Sequence, residues 1–197
     1  MKFLTWAILF CALPFLNFAQ SNGEFKQRIT GFVASADSVY ERKDLNLTAQ
    51  NIGIINEQEH DWTSSFMLKS KAKEINNIGN KVYSKYYFSF FTYPDETERD
   101  YAVKFWLQSF IDGVAIRPGR DMRTYPDAQP TIIVINETSI AILTYSCKFG
   151  TDESFNDWRK TMLTWFGNPA STIIEVGCEG PLDWTKNRPD SKDRTWR

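Results

Sequence analysis

The sequence predicts a mixed α+β fold, a two-layer βαββαβ sandwich (ferredoxin-like or related) with an additional N-terminal helix. From residue 82 onward, apolar runs of period two alternate with amphipathic stretches of helical period, in the order strand, helix, strand, strand, helix, strand. Both helices begin with the same pattern, D-E-[ST]-x-x-D-aromatic, at Asp95 and at Asp152. The repetition indicates two similar halves, as a split βαβ architecture requires.

The N-terminal region, residues 24–81, is predicted to be a helix followed by an extension. Residues 24–41 have helical periodicity, because apolar side chains recur at steps of three and four. These side chains are Phe25, Ile29, Phe32, Val33, Ala36, Val39 and Tyr40. Residues 62–81 fit a strand or a helix equally well, with turn residues at Asn76–Asn80.

The predicted domain, residues 82–180, starts with the first half of the repeat. Val82–Thr92 is dense in aromatic residues and predicts a strand with one apolar face, formed by Tyr86, Phe88 and Phe90. Pro94, followed by two carboxylates, opens a helix, because proline and acidic side chains suit a helix N-terminus. Gly113 is its stop signal, and residues 116–130 are predicted to be a loop.

The second half starts with two β-branched runs, Thr131–Ile135 and Ser139–Cys147, which flank Asn136–Thr138 and predict a hairpin. Thr151 then caps a second helix. Its apolar stripe consists of Phe155, Trp158, Met162, Trp165 and Phe166.

The last predicted strand is Ser171–Cys178, and residues 183–197 form a charged, unpatterned tail that we expect to be mobile.

The first nineteen residues predict a signal peptide. Lys2 precedes an apolar run from Phe3 to Phe18, and cleavage after Ala19 is expected. A transmembrane anchor is the alternative, but the run is short for a bilayer span and contains Pro14. We therefore expect a secreted or periplasmic protein without stable membrane insertion after signal removal.

After that cleavage two cysteines remain, Cys147 and Cys178, and in an exported protein an isolated pair predicts a disulfide. A reactive thiol or a metal site is the alternative, although the single histidine, His60, leaves few ligands for zinc. In a ferredoxin-like sheet the last two strands flank the first and lie roughly 9.6 Å apart. A disulfide needs Cα atoms within about 7 Å, so the chain would have to turn inward beyond the strand ends to bring the two cysteines together. Alternatively, the two strands are adjacent and joined by a right-handed crossover.

Composition and motifs exclude several classes of function. A formal net charge of −1 argues against nucleic acid as a partner. No glycine-rich phosphate loop occurs, so no nucleotide cofactor is expected, and no metal site is predicted. A Ser-His-acid triad would have to use His60, which lies in a polar segment without a nucleophile motif. The repeated Asp and Glu residues are interpreted as helix N-terminal residues, which stay ionised.

The leading functional hypothesis is a non-enzymatic exported binding module, inhibitor- or adaptor-like, with another protein as its partner. Its candidate partner-binding residues combine side-chain types that interfaces favour: Arg117, Arg120, Arg123 and Tyr125 in one loop, and Trp184 and Trp196 in the tail. An extracytoplasmic hydrolase that uses carboxylates is the first alternative. A structural component of the cell envelope is the second.

Overall fold

The computed structural model describes residues 22–46, 59–112, 129–178, 180 and 182–184, with backbone alone for residues 105–112 and Trp184. Its elements, in chain order, are α1 (Asn22–Ala36), β1 (Tyr40–Asp44), β2 (Trp62–Ser70), β3 (Glu74–Ile75), β4 (Lys81–Val82), β5 (Lys85–Thr92), α2 (Glu96–Asp112), β6 (Thr131–Ile135), β7 (Ser139–Tyr145), a 3₁₀ turn (Cys147–Phe149), α3 (Asp152–Phe166), β8 (Thr172–Val176) and β9 (Leu182–Trp184). Within these ranges, no helix has the length and hydropathy needed to cross a bilayer.

Seven strands form one sheet in the order β1-β2-β5-β7-β6-β8-β9, and every neighbouring pair is antiparallel. Strands β3 and β4 pair with each other as a separate small hairpin. The predicted α+β class is confirmed.

The ferredoxin-like strand order is wrong. That order would place the last strand, β8, beside β5. In the structure, β5 is paired there with β2, from Trp62↔Thr92 to Lys69↔Lys85. Because this edge of β5 is occupied, β8 instead pairs with β6. The sequence of β2 mixes apolar and polar residues and fitted a strand or a helix. The sequence therefore did not show that β2, and not β8, would pair with this edge of β5.

The two-layer prediction is also wrong, because helices lie on both faces of the sheet. Helices α1 and α3 pack on one face, and α2 packs on the other. The cause is the position of β8. Helix α2 connects β5 to β6, and α3 connects β7 to β8. Each connection moves two strands along the sheet in the same direction. The starting strands, β5 and β7, are antiparallel to each other. Two crossovers of the same hand must then place their helices on opposite faces, and parallel crossovers are almost always right-handed.

The face under α1 and α3 is an aromatic core. The ring of Phe32 lies 5.0 Å from that of Phe88 and 5.5 Å from that of Phe166. Tyr86 and Trp158 approach to 4.5 Å. Aromatic pairs at these separations add stability beyond the area that they bury. This cluster therefore joins both helices to the predicted apolar face of β5.

On the opposite face, the described core residues are mostly aliphatic. Ala102 and Val103 of α2 pack on strand residues that include Phe91 and Ile133. The buried Arg99 side chain fixes the start of α2, because its Nη1 donates hydrogen bonds to the backbone oxygens of Asn136 and Glu137. The β6–β7 turn is thereby joined to the helix.

Helix α1 ends earlier than predicted, at Ala36 rather than at residue 41. The chain turns there, and Tyr40 starts β1 opposite Ser70. From this strand position the Tyr40 ring lies 5.6 Å from Tyr86, whereas Val39 is 51% exposed. Pairing with β2 therefore overrides the helical spacing of these two residues.

Helix α3, the second helix predicted for the domain, begins where the sequence indicated. Thr151 accepts a hydrogen bond from the Ser154 backbone N–H, and the Ser154 side chain accepts one from the Thr151 N–H. This reciprocal capping box confirms the helix start that Thr151 indicated.

We predict that Ile132→Ala lowers the free energy of unfolding by about 2 to 5 kcal/mol, because Ile132 is fully buried in the aromatic core and its truncation leaves a cavity. Ile78→Ala is the matched control. Ile78 is 62% exposed, so its change should stay within about 0.5 kcal/mol. Urea unfolding of both variants measures the difference, and equal losses would contradict the assignment of the core.

Candidate functional site

Most of the predicted partner-binding residues fall outside the described part of the chain. Arg117, Arg120, Arg123, Tyr125 and Trp196 all lie outside it, so their role stays a prediction. The backbone of Trp184 lies in β9 and pairs with Ile174. The sheet therefore extends two residues into the segment that the sequence assigns to the tail.

The predicted disulfide is present, and Cys147 and Cys178 have a Cα–Cα distance of 5.4 Å. Strands β7 and β8 are both antiparallel to β6, so they run in the same direction and end at the same side of the sheet. They are two strand spacings apart, about 9.6 Å. The bond closes because each cysteine lies two residues beyond its strand, where the chain turns inward across the start of β6. The alternative of adjacent strands is wrong.

A cleft of about 720 Å³ lies between the sheet and the β3–β4 hairpin. We call it the lysine cleft. Its floor is formed by β1, β2 and β5, on the same face of the sheet on which α2 packs. Its wall is formed by the hairpin. The lining residues include Lys43, Met67, Lys69 and Lys85 from the sheet and Lys73, Lys81, Val82 and Tyr83 from the hairpin and its flanks.

Strand register explains the floor. Glu41 pairs with Lys69, and Lys69 pairs with Lys85, so these three side chains form one row across three strands. Lys43 and Met67 form the next row. Directly paired residues share a face of the sheet. Two strand pairings therefore bring together lysines that are far apart in the sequence.

The charge of the cleft differs in sign from that of the chain. Six of its lining residues are Lys or Arg and only Glu41 is acidic, in a chain of net charge −1. Arg42 is paired with Asp44 at 2.6 Å. Among the described residues, none of the five cleft lysines forms an ion pair. Positive charge is thus concentrated here, with Glu41 as the one acidic side chain among the lining residues.

Two of these lysines lie over the ring of Tyr83. The Nζ atoms of Lys69 and Lys73 lie 4.4 Å and 5.7 Å from the centre of the Tyr83 ring. The negative face of an aromatic ring attracts ammonium groups. The ring therefore offsets part of the repulsion between the two cations.

The tip of the hairpin is a tightly bonded turn. Asn76 is buried, and its Oδ1 accepts hydrogen bonds from the N–H groups of Ile78 (3.2 Å) and Asn80 (2.8 Å). Gly79 has φ of 82°, a left-handed conformation that glycine adopts without strain. This confirms the turn that the sequence predicted at Asn76–Asn80.

The hairpin is also attached to the turn that contains the disulfide. The Asn77 Nδ2 donates to the carbonyl oxygen of Cys147, and the Asn77 backbone N–H donates to that of Lys148, both at 2.9 Å. The wall of the lysine cleft is therefore connected to the covalently closed end of the sheet.

The buried tyrosines are unsuited to acid–base chemistry near neutral pH. Burial raises the pKa of Tyr145 to about 12 and raises that of Tyr93 further. Both hydroxyls stay protonated at neutral pH, so neither is an efficient base. No group of three or more potential metal ligands occurs within the described ranges. The lysines that line the cleft can attract anions.

The lysine cleft was not predicted from the sequence, although a signal was present. Residues 69–85 contain five lysines, three of them in the run Lys69-Ser70-Lys71-Ala72-Lys73. Lysines at every second position of a strand lie on one face of the sheet. Lys71, after the end of β2, instead contacts Asp37.

Comparison with known proteins gives no match to a family model, to a curated protein or to a solved structure.

We predict that replacing Cys147 and Cys178 with serine lowers the free energy of unfolding by about 3 to 4 kcal/mol, the chain-entropy estimate for the 31-residue separation. Denaturant unfolding with and without a thiol reductant measures the effect. Reductant should destabilise the parent chain by a similar amount and leave the double variant unchanged. A parent chain that is insensitive to full reduction would contradict this prediction.

We predict that Tyr93→Phe is neutral at pH 7 or stabilises by about 1 to 2 kcal/mol. Within the described chain the buried Tyr93 hydroxyl has no hydrogen-bond partner, and such a group costs free energy. Because burial raises the Tyr93 pKa above 10.0, the folded state holds its proton where the unfolded state loses it. Stability of the parent chain should therefore fall as pH rises above about 10.

The Tyr93→Phe variant should lose stability less steeply above that pH. Tyr101→Phe, at a side chain that is 51% exposed, is the matched control and should keep the parent's pH dependence. Chemical denaturation between pH 7 and pH 11 tests both variants. If the free energy of unfolding falls equally with pH in the parent and in Tyr93→Phe, this phenol does not contribute to the loss of stability at alkaline pH.

Proposed function

We propose that the protein is an exported, non-enzymatic binding module whose partner is a protein with an acidic surface. The observation that carries this proposal is the lysine cleft, which gathers five lysines without an ion pair among the described residues. Like charges at close range destabilise the free protein. An acidic partner relieves that repulsion and gains attraction at the same time.

The charge distribution also favours encounter with an acidic partner. The cleft is concave, and a concave surface lined by one sign of charge concentrates the electric field. Complementary fields increase association rates and exclude partners of the wrong sign. The remainder of the chain has an excess of acidic residues, so the field also orients the partner towards the cleft.

Exposure supports binding rather than catalysis. A lysine nucleophile is activated by burial or by a neighbouring cation or base. Neighbouring cations are present in the cleft, but Lys43, Lys73, Lys81 and Lys85 are exposed to solvent, and only Lys69 is half-buried. Exposed lysines suit contact with a large anionic surface.

The export part of the proposal rests on two observations. Residues 1–19 have the pattern of a signal peptide but lie outside the described ranges. The Cys147–Cys178 bond is consistent with an oxidising, extracytoplasmic compartment.

We predict that Lys69→Glu combined with Lys81→Glu weakens binding of fluorescent poly-L-glutamate by about tenfold or more at low salt. Each replacement removes an attraction and adds a repulsion. Lys104→Glu with Lys160→Glu is the matched control: it changes the net charge equally at exposed lysines outside the cleft, and should retain near-parent affinity. Fluorescence anisotropy measures the affinity, which should also fall as salt rises.

Equal losses in both double variants would show that net charge, not the cleft, determines binding, and would overturn the proposal. A triple variant, Arg117→Ala with Arg120→Ala and Arg123→Ala, tests the contribution of the arginine loop separately. If the triple variant alone loses binding, the loop is the binding surface and the cleft is not.

A further inference from the structure

We propose that the partner binds through an acidic segment that also carries aliphatic side chains, and that this segment contacts the lysine cleft and the apolar edge of the hairpin beside it. The apolar edge consists of Ile75, Ile78 and Val82. This inference rests on the proposed function and specifies the chemistry of the partner.

Exposed apolar surface is concentrated on the hairpin. Of the six large apolar side chains that are exposed in the described chain, four lie between residues 75 and 83. Ile75 is 68% exposed and Ile78 is 62% exposed, the two highest values among them. Clustered apolar exposure of this kind marks interaction sites.

The apolar edge adjoins the cleft. Val82 lines the cleft directly. Ile75 is the cross-strand partner of Lys81, another lining residue, so the two side chains share one face of the hairpin. Val82 pairs with Glu74 and so lies on the other face of the hairpin. A segment bound at Lys81 therefore also reaches Ile75, and continued towards the tip it reaches Ile78.

The hairpin is held in place before the partner arrives. Its tip is fixed by the Asn76 side chain, and Asn77 attaches it to the turn that contains Cys147. A surface fixed in this way loses little conformational entropy on binding. The exposed isoleucines are thus presented in one arrangement.

The geometry favours a peptide over other anionic partners. An acidic glycan would gain most from stacking on an open aromatic face, but the Nζ atoms of Lys69 and Lys73 lie over the Tyr83 ring. An anionic bilayer presents a broad surface that does not enter a concave cleft. Glutamate and aspartate side chains reach the lysines, and aliphatic side chains of the same segment bury Ile75 and Ile78.

The test uses two short acidic peptides that differ only in having leucines or serines between their glutamates. The purified chain should bind the leucine peptide about tenfold or more tightly than the serine peptide, because apolar area becomes buried. Ile75→Ser with Ile78→Ser should abolish this preference and leave the serine-peptide affinity unchanged. Val39→Ser, at a side chain that is 51% exposed, is the control and should retain the preference. Anisotropy measures affinity, and thermal unfolding checks that every variant is folded.

The outcomes separate this inference from the function on which it rests. Equal affinity for the two peptides, with loss of both in the Lys69→Glu and Lys81→Glu variant, would overturn the apolar contact and keep the acidic-partner proposal. If neither peptide binds at low salt, both the inference and the proposed function are overturned. Binding to vesicles of anionic phospholipid that depends on Ile75 and Ile78, without preference for the leucine peptide, would overturn the inference in favour of a lipid surface.

Discussion

The pairing of β2 with β5 is the interaction on which the rest of the structure depends. Their register extends over eight residue pairs and combines two kinds of contact. On one face, the Phe66 ring stacks on that of Phe88 at 5.3 Å. On the other, the buried hydroxyls of Ser65 and Ser89 hydrogen-bond at 2.8 Å. The pair therefore satisfies the hydroxyls of Ser65 and Ser89 with each other and supplies part of the aromatic core.

Three features follow from this pairing. It occupies the edge of β5, so β8 pairs with β6 and the helices lie on opposite faces. It places β7 and β8 on either side of β6, where only cysteines beyond the strand ends can meet. It also aligns Lys69 with Lys85, which forms the floor of the lysine cleft. One local register thus determines the layers, the position of the disulfide and the charged surface.

The sequence predicted elements better than their arrangement. Periodicity identified α3, β5 and the β6–β7 hairpin because their apolar residues are regularly spaced and their ends carry capping or turn residues. It also identified the cysteine pair. Strand order was not predictable in this way, since it depends on which strand competes successfully for β5, and the sequence of β2 mixes Thr and Ser with Phe and Leu. The lysine cleft was missed for the same reason: its lysines meet only when β1, β2 and β5 are correctly aligned.

The two hydrogen bonds of Asn77 connect features that the sequence keeps far apart. They join the hairpin tip to the carbonyl groups of Cys147 and Lys148, beside a covalent bond that forms only after synthesis. The wall of the lysine cleft therefore rests on the same turn that carries Cys147. Reduction of the disulfide removes the covalent anchor of the turn on which the hairpin tip is held. A change in that turn reaches the wall of the lysine cleft through only two hydrogen bonds.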